Sequence, residues 1–468
     1  MLTKAAQAVA LAAFCCAVTA HDAPTAWNET ANAASAHRIL TSAANGGLNV
    51  IVTFKNGTTA PLKHVNSQKF HTRGARLTEI RRSLEDHAKK TQHSVFDLLQ
   101  KGTFMRSERF WISNQLYVHG ATPDLVENIK KHPSVLSVEL EAVHFLVQPV
   151  MPVGTSDLIV PASWGTTKIK APVAWINKVY GADVVVGVID SGARWTHEAL
   201  KDNYRRSFGW YDPEWKTAEP YDLSGHGTHV TGIIAGGKGV GVAPKAQWIA
   251  CKGCRATGCH TADLLSCMQF MLCPSTPDGS LRDCTKAPDV INNSWAGNKG
   301  ITTFNSAIEA WKAAGIIPIF AAGNSGPSCG SVLSPGDQPG VITVGATDAT
   351  DMVASFSGKG PTINGLVKPD VTAPGNSIKS TCVSSDTHYC AMSGSSMATP
   401  HVTGTVALLL GVKPGLSYAQ VRQALTQGTT MAVRPAALVC GRVAATVFPN
   451  NQYGFGRIDV TKVLAVPV

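Results

Sequence analysis

The stretch V-V-V-G-V-I-D-S-G, residues 184–192, is a nearly continuous apolar run that ends in a carboxylate. Apolar runs of this length suit strands that are buried on both faces, as in a parallel sheet. Similar runs occur at 316–322 and 341–344, with helical patterns between them. This alternation predicts an α/β domain with a parallel sheet over residues 163–468.

The segment before this domain predicts a smaller α+β domain over residues 48–141. Its strand-like and helical patterns follow an order close to the βαββαβ of ferredoxin-like domains. We predict strands at 48–54, 110–118 and 135–140, and helices at 76–99 and 123–131. Three prolines and a glycine in residues 142–162 predict a linker between the two domains.

The first 20 residues predict export. They combine Lys4 with a short apolar run and end in V-T-A, which is typical of a secretory signal cleaved after Ala20. Residues 21–47 are rich in Ala, Ser, Thr and Asn and predict a loose leader. No later segment offers the roughly 18 consecutive apolar residues of a membrane helix. We therefore expect a secreted, extracellular protein with no membrane partner.

The charge pattern argues against a nucleic-acid partner. Lysines and arginines outnumber acidic residues by 41 to 31, but they are scattered along the chain. Nucleic-acid binding is typical of basic residues that cluster in patches. We read the excess as a contribution to solubility, and we expect a monomer.

Twelve cysteines are present, and two of them fall in the predicted signal. The remaining ten could form up to five disulfides in an oxidising compartment. Cys273 with Cys284 and Cys382 with Cys390 would close short loops. The spacing of Cys251, Cys254 and Cys259 leaves zinc as an alternative. We expect disulfides in the cysteine-dense stretch 251–284 to reinforce a surface region.

Two polar positions stand where a parallel sheet gathers reactive groups, at the carboxyl ends of strands. Asp190 ends an apolar strand, although such an aspartate alone could equally be a turn or cap residue. His226 lies on a loop between two glycines, which permit close backbone approach, and opens a helix of small apolar residues. We predict that His229, in the first turn, is a buried structural residue.

A third position lies in M-S-G-S-S-M-A-T-P-H, residues 392–401. A helix predicted over 397–410 places its positive dipole end and unpaired N–H groups beside Ser396. Ser393 reads as a turn or cap residue and Ser395 as a side-chain partner in the loop. Ser396 is therefore the predicted nucleophile.

Three motifs together resemble the signatures of the subtilisin-like serine proteases: Asp190-Ser-Gly, Gly225-His-Gly-Thr-His-Val and Gly394-Ser-Ser-Met-Ala-Thr-Pro-His. They follow the order Asp, His, Ser, which differs from the orders of the chymotrypsin and α/β-hydrolase classes. Segments 245–249 and 287–295 look most like the bacillopeptidase F branch. The resemblance implies a parallel sheet flanked by helices and a serine endopeptidase. Ser395 departs from the family, which usually has Thr there.

The resemblance also assigns roles to individual residues. It implies that Ser396 attacks, that His226 transfers the proton and that Asp190 orients the imidazole, with Asn324 as oxyanion donor. It places the substrate side chain before the scissile bond between two walls, which consist of Ser294, Trp295, Ala296, Gly297, Ala322 and Gly323. No acidic residue is evident there, so we expect an apolar or aromatic preference. A catalytically silent relative that binds peptides is the alternative.

For residues 48–141, the resemblance implies an inhibitory propeptide that the enzyme removes by cutting between about 144 and 161. Protein substrates and this propeptide are then the expected partners. No cofactor is required, and we name no metal site; calcium is possible by resemblance alone. Nine of the fifteen histidines lie between His21 and His144. Acidification could charge them and loosen the propeptide, unless they are merely solvated surface residues.

Overall fold

The computed structural model describes residues 47–146, 163–434 and 438–468. Within them, Leu48–Val468 belong to one compact unit. The predicted signal, the leader up to residue 46 and residues 147–162 of the predicted linker lie outside the described residues. No helix in the described part of the chain is both long and apolar enough to span a bilayer.

Residues 48–141, which we call the N-terminal domain after the sequence prediction, contain an antiparallel sheet in the order β2-β3-β1-β4. Its strands are β1 (Leu48–Phe54), β2 (Arg106–Phe110), β3 (Gln115–Ala121) and β4 (Val135–Leu140), and its helices are α1 (Thr59–Asn66), α2 (Arg73–Leu99) and α3 (Pro123–Lys130). Side chains alternate across β1. Val50, Val52 and Phe54 pack in one cluster with Val95 and Leu125 of the helices, whereas Ile51 packs in another cluster that includes residues of the α/β domain.

The single strand predicted over 110–118 is wrong. The structure has two strands there, β2 and β3, joined by a turn at 111–114 in which Asn114 has a φ of 51°. Trp111 and Ile112 supply the apolar character that suggested one strand. They are buried in a hydrophobic cluster that they share with residues of the α/β domain, and they are not part of either strand. The apolar residues at 111–112 therefore contact the α/β domain instead of continuing a strand.

The predicted parallel α/β sheet is confirmed. Nine strands follow the order β17-β18-β14-β13-β12-β10-β6-β8-β7, and only the pair β17–β18 is antiparallel. These strands are β6 (Val185–Asp190), β7 (Trp210–Tyr211), β8 (Gln247–Lys252), β10 (Val290–Asn293), β12 (Ile317–Ala321), β13 (Ile342–Thr347), β14 (Val371–Pro374), β17 (Thr429–Thr430) and β18 (Arg457–Ile458).

Eight helices of the described residues belong to this domain: α4 (Trp164–Lys168), α5 (Ala171–Ile176), α6 (His226–Ala235), α7 (Thr261–Leu272), α8 (Asn305–Ala313), α9 (Ser395–Val412), α10 (Tyr418–Gln427) and α11 (Val460–Ala465). A short 3-10 helix spans Cys284–Lys286. Every residue of α6 is buried, as is α9 from Ser395 to Leu410. Such burial explains why both helices are apolar all round rather than on one face.

Small strands complete the fold: β5 (Val143–Leu146), β9 (Cys259–His260), β11 (Trp295–Ala296), β15 (Ile378–Thr381) and β16 (Tyr389–Met392). Strand β5 lies between β11 and β9 and is antiparallel to both. The structure therefore contradicts a linker that starts at 142. The partners of β5 are more than 100 residues away in sequence, which is why the local pattern did not predict it.

All ten cysteines from Cys251 onward are paired in the structure. The disulfides are Cys251–Cys267, Cys254–Cys259, Cys273–Cys284, Cys329–Cys440 and Cys382–Cys390. Two of these are the short loops expected from sequence. The zinc alternative fails because its three cysteines are oxidised and offer no thiolate ligand. The six cysteines of the stretch 251–284 are at most 4% exposed, so its disulfides lie below the surface that they were expected to reinforce.

Candidate active site

Asp190 and His226 meet beneath the cleft. Asp190 is the last residue of β6, and His226 is the first residue of α6 rather than part of the preceding loop. The Nδ1 atom of His226 lies 2.7 Å from Oδ1 of Asp190. Both side chains are almost fully buried. A short hydrogen bond in a buried site that excludes water fixes the orientation of the imidazole ring.

The glycine after the histidine permits this approach. A Cβ atom on Gly227 would lie 2.1 Å from the carbonyl oxygen of Gly192 and 3.1 Å from Cβ of Asp190. No larger residue fits without moving the strand end away from the helix. The close approach that the flanking glycines suggested is therefore present in the structure.

A second carboxylate supports this arrangement. Asp222 accepts hydrogen bonds at its Oδ2 atom from the backbone N–H (2.9 Å) and the hydroxyl (2.7 Å) of Thr228 in the first turn of α6. Its Oδ1 atom accepts from Ser191 Oγ at 2.9 Å, and Ser191 Oγ in turn accepts from Gly227 N at 3.0 Å. One buried network thus joins the end of β6 to the start of α6. Sequence reasoning missed Ser191 and Asp222, although an aspartate just ahead of a helix is a known capping signal.

The three serines of the opening loop of α9 have different partners. Ser393 Oγ donates to Asn376 Oδ1 at 3.0 Å and accepts from Ser377 N at 2.7 Å. Ser396 Oγ donates to the carbonyl oxygen of Ser294 at 3.3 Å, while Ser294 Oγ donates to the carbonyl oxygen of Ser396 at 3.1 Å. Ser396 therefore lies against the wall of the cleft, and Ser393 fastens the loop.

The third serine orients Asn324. Oδ1 of Asn324 accepts hydrogen bonds from Ser395 N at 2.9 Å and from Ser395 Oγ at 3.0 Å. With its oxygen held there, the Nδ2 group points the other way, and it lies 2.9 Å from where a Cβ atom of Gly394 would be. Because Ser keeps the hydroxyl of the usual Thr, its departure from the family pattern preserves this contact.

Two other histidines near the site are structural. His229 Nε2 lies 3.2 Å from the carbonyl oxygen of Cys390, and His401 Nδ1 lies 2.8 Å from the carbonyl oxygen of Met397. Burial lowers the pKa of His229 to about 3 and that of His401 to about 4. Both imidazoles are fully buried and neutral at physiological pH.

The expected substrate walls lie on either side of a small apolar cluster. Trp295 and Ala296 form β11, the edge that pairs with β5. Ala296 and Ala321 contact Leu333 in a cluster of buried residues, and a Cβ atom on Gly323 would lie 2.7 Å from Leu333 Cδ1. Leu333 N donates to the carbonyl oxygen of Ala322 at 3.0 Å. Sequence reasoning missed Leu333 because it lies in an irregular loop.

Metal ligands are not grouped in the described residues: no three or more His, Cys, Asp or Glu side chains lie together there as a metal site requires. Calcium prefers six to eight oxygen ligands, usually with several carboxylates. We therefore assign no residue in that part of the chain to calcium, and no chemical step below passes through a metal.

Comparison with known proteins agrees with this geometry. The model of the subtilase family matches residues 181–456. Bacillopeptidase F of Bacillus subtilis (strain 168) is 32% identical over 439 residues, which are 86% of this chain and 30% of that protein. Serine protease AprX of the same organism is 36% identical over 288 residues, which are 53% of this chain and 62% of that protein.

Subtilisin E, also from Bacillus subtilis (strain 168), is 34% identical over 327 residues, which are 67% of this chain and 76% of that protein. The chain thus covers less than two thirds of bacillopeptidase F and AprX but more than two thirds of subtilisin E. The predicted resemblance is confirmed, and it supports the predicted serine endopeptidase activity. The chain belongs to the subtilase family.

Proposed function

We propose that this protein is a secreted serine endopeptidase that is made as a self-processing zymogen. It hydrolyses peptide bonds through an acyl-enzyme formed on Ser396. The observation that supports this most strongly is the position of β5. A segment of the chain itself lies antiparallel to β11, beside the wall against which Ser396 packs. An extended substrate would add to the same edge by main-chain pairing.

In the acylation step, Ser396 Oγ attacks the scissile carbonyl carbon and gives its proton to Nε2 of His226. The imidazole becomes positively charged, and its Nδ1–H donates to Asp190 Oδ1 at 2.7 Å. The carboxylate keeps the correct tautomer and stabilises the charged ring. The ring then returns the proton to the leaving amine. Water repeats the sequence to release the acid product and restore Ser396.

Negative charge develops on the carbonyl oxygen as the tetrahedral intermediate forms. In this proposal the Nδ2 group of Asn324 is one donor, and Ser395 holds the amide oxygen. The backbone N–H of Ser396, in the first turn of α9, is the second donor. The positive end of the α9 dipole adds to this stabilisation. Donors fixed in advance are effective because they need no reorganisation during the reaction.

The N-terminal domain acts as the inhibitor in this proposal. Arg73 of α2 donates to the carbonyl oxygens of Ala287 and Pro288, at 3.2 and 2.6 Å, and lies 3.4 Å from Asp289. Gln269 of α7 accepts at Oε1 from Trp111 N at 2.8 Å. These contacts join the domain to the α/β domain while β5 fills the edge that substrate needs.

Residues just ahead of β5 anchor it to α7. Glu141 accepts at Oε1 from Ala262 N at 3.1 Å, in the first turn of that helix. Burial alone would raise the pKa of Glu141, but hydrogen bonds from His260, Tyr117 and Ala262 together lower it. The anionic form is therefore favoured where the helix N-terminus attracts negative charge.

Two features of the chain support secretion, the pattern of its first 20 residues and its disulfides. The first 20 residues have the pattern of a cleavable signal. Five disulfides within the α/β domain require an oxidising compartment. Detecting the Ser396→Ala variant, which should not remove its own N-terminal segment, in the medium of an expressing culture, with its N-terminus after Ala20, tests this point.

A covalent probe tests the catalytic assignment. We expect a phosphonylating reagent to modify Ser396 alone and to abolish peptide hydrolysis in parallel, with the site located by mass spectrometry. His226→Ala should stop the labelling because the hydroxyl loses its base. Ser280→Ala, in an exposed loop, is the matched control and should label normally. Labelling at another serine, or undiminished labelling of His226→Ala, would contradict the proposal, and a silent relative would bind peptides without labelling.

A further inference from the structure

His144, in the middle of β5, occupies a narrow slot in the cleft wall. Its side chain is buried, and its ring centroid lies 6.3 Å from that of Trp295 and 5.2 Å from that of Phe304. A Cβ atom on Gly297 would lie 2.2 Å from Nδ1 of His144. We call the site formed by Trp295, Gly297, Phe304 and Thr261 the imidazole slot. It has the size of a flat ring.

The hydroxyl oxygen of Thr261 distinguishes an imidazole from other flat rings in the slot. His144 Nε2 lies 3.0 Å from Thr261 Oγ1, and Thr261 Oγ1 donates its only proton to the carbonyl oxygen of Ala142, also at 3.0 Å. While its proton is bound there, Thr261 accepts a hydrogen bond from Nε2–H. In a substrate, the carbonyl of the sixth residue before the scissile bond takes the place of Ala142. An imidazole supplies this donor, whereas a phenyl ring or an aliphatic side chain leaves a buried acceptor less satisfied.

The register of β5 relates the slot to the reacting bond. Leu146 pairs with Trp295 and Phe145 with Ala296. A substrate in the same register brings its next residue opposite Ser294, whose carbonyl oxygen lies 3.3 Å from Ser396 Oγ. The bond after that residue is then attacked. The slot therefore receives the fourth side chain before the scissile bond.

We propose that the mature enzyme selects peptides with histidine as the fourth residue before the scissile bond, and that Thr261 determines this specificity. His144 occupies the slot in the zymogen as a substrate histidine would. This inference rests on the proposed endopeptidase function, and it adds the class of substrate that the cleft prefers.

The slot also distinguishes neutral from charged imidazole. Burial lowers the pKa of His144 to about 4. Two titratable groups face it, Glu141 from the N-terminal domain and His260 from β9, and they lie 3.8 Å apart. Glu141 leaves with the propeptide, whereas the burial that disfavours a charged ring in the slot remains. Selection for histidine should therefore weaken on acidification.

Three peptides that differ only at the fourth residue before the scissile bond, with His, Phe or Leu there, test the proposal on active enzyme matured from the full chain. We expect kcat/KM for the His peptide to exceed that of the others about tenfold at pH 7.5, the value of one buried hydrogen bond. The His-to-Leu ratio should fall at pH 5.5. Dividing by the Leu rate removes pH effects on the catalytic groups.

Variants of Thr261 distinguish a role in selecting histidine from a general loss of activity. Thr261→Val should reduce the His-to-Leu ratio toward one, and Thr261→Ser, which keeps the acceptor, should retain it. Equal cleavage of the three peptides by the wild type, or an unchanged ratio in Thr261→Val, would overturn the proposal while leaving the endopeptidase function intact. Failure to cleave any peptide would instead overturn the proposed function.

Discussion

Two hydrogen bonds from Ser395 fix the orientation of the side-chain amide of Asn324. Ser395 binds the oxygen through both its N–H and its hydroxyl. The donor end of the amide is thereby aimed without the cost of ordering it during the reaction. The imidazole of His226 is likewise oriented in advance, because Asp190 contacts its Nδ1 atom on the side remote from the cleft.

Removing this oxyanion donor should slow chemistry without weakening binding. We expect Asn324→Ala to reduce kcat about 100- to 1000-fold with KM nearly unchanged, which is the usual effect of losing one such donor. Ser395→Ala should cost about tenfold or less because the N–H contact to the amide oxygen persists, and Ser395→Thr should restore activity. Steady-state kinetics on one peptide measure this series. A larger loss in Ser395→Ala than in Asn324→Ala would contradict the assigned roles.

The proposed catalytic residues could be named from sequence because their motifs are local. Asp190, His226 and Ser396 each follow a recognisable strand or precede a recognisable helix, and the family motifs name them directly. Ser191, Asp222, Leu333 and Thr261 were not predicted. Each acts through a partner that only folding brings close, such as the contact of Ser191 with Asp222, 31 residues away.

Strand β5 was not predicted for the same reason: its partners are distant in sequence. Its four residues follow a segment with strong strand patterning and precede prolines, so the local pattern indicated a linker. Its stability comes from pairing with β9 and β11 on both sides. Long parallel strands such as β6 were predictable because burial on both faces makes them apolar throughout.

The disulfides should differ in their contribution to stability according to the loop each one closes. Cys329 and Cys440 are 111 residues apart, and chain entropy gives such a bridge about 5 kcal/mol. Cys254 and Cys259 are 5 residues apart, for which the same relation gives about 2 kcal/mol. Removing the first pair by Cys→Ala should therefore lower the free energy of unfolding more than removing the second.

Denaturant unfolding of both double variants, made in a Ser396→Ala background to prevent self-digestion, measures this difference. The Cys273 and Cys284 pair, 11 residues apart, is the matched control and should lose an amount nearer to that of the shorter loop. Equal losses in all three variants would show that loop closure does not govern the stability that these bridges provide.

Across the whole molecule, acid should loosen the N-terminal domain through His144. The ordinary pKa of histidine is 6.5, and burial lowers that of docked His144 to about 4. Because docking requires the neutral ring, its contribution is complete above about pH 6.5 and declines as the pH falls toward 4. The linkage gives about a tenfold weaker docking at pH 5.5.

Other groups at the interface titrate too, so the comparison needs a variant. Burial raises the pKa of Glu108, which favours docking at low pH, whereas the lowered pKa of Glu141 acts in the opposite sense. His144→Phe retains both carboxylates and removes the imidazole. Activity should appear faster at pH 5.5 than at pH 7.5 in the wild type, with a smaller difference in the variant. Equal pH dependence in the two proteins would exclude His144 as the sensor.

The fold is compatible with the proposal that one chain contains both an enzyme and its inhibitor. The N-terminal domain shares a hydrophobic cluster with the α/β domain, in which Ile51, Leu77 and Ile80 meet Met268 and Phe270 of α7. Parallel sheets form slowly because their contacts are distant in sequence. A preceding domain that packs on α7 and fills the cleft is suited to assist that folding and to delay activity until it leaves.

The most direct test of the account compares the full-length wild type with Ser396→Ala for two properties, loss of the N-terminal domain and hydrolysis of casein. We predict that the wild type sheds residues 48–141 and digests casein, and that Ser396→Ala remains whole and inactive. Equal processing and equal digestion by the two proteins would contradict the claim that Ser396 is the nucleophile.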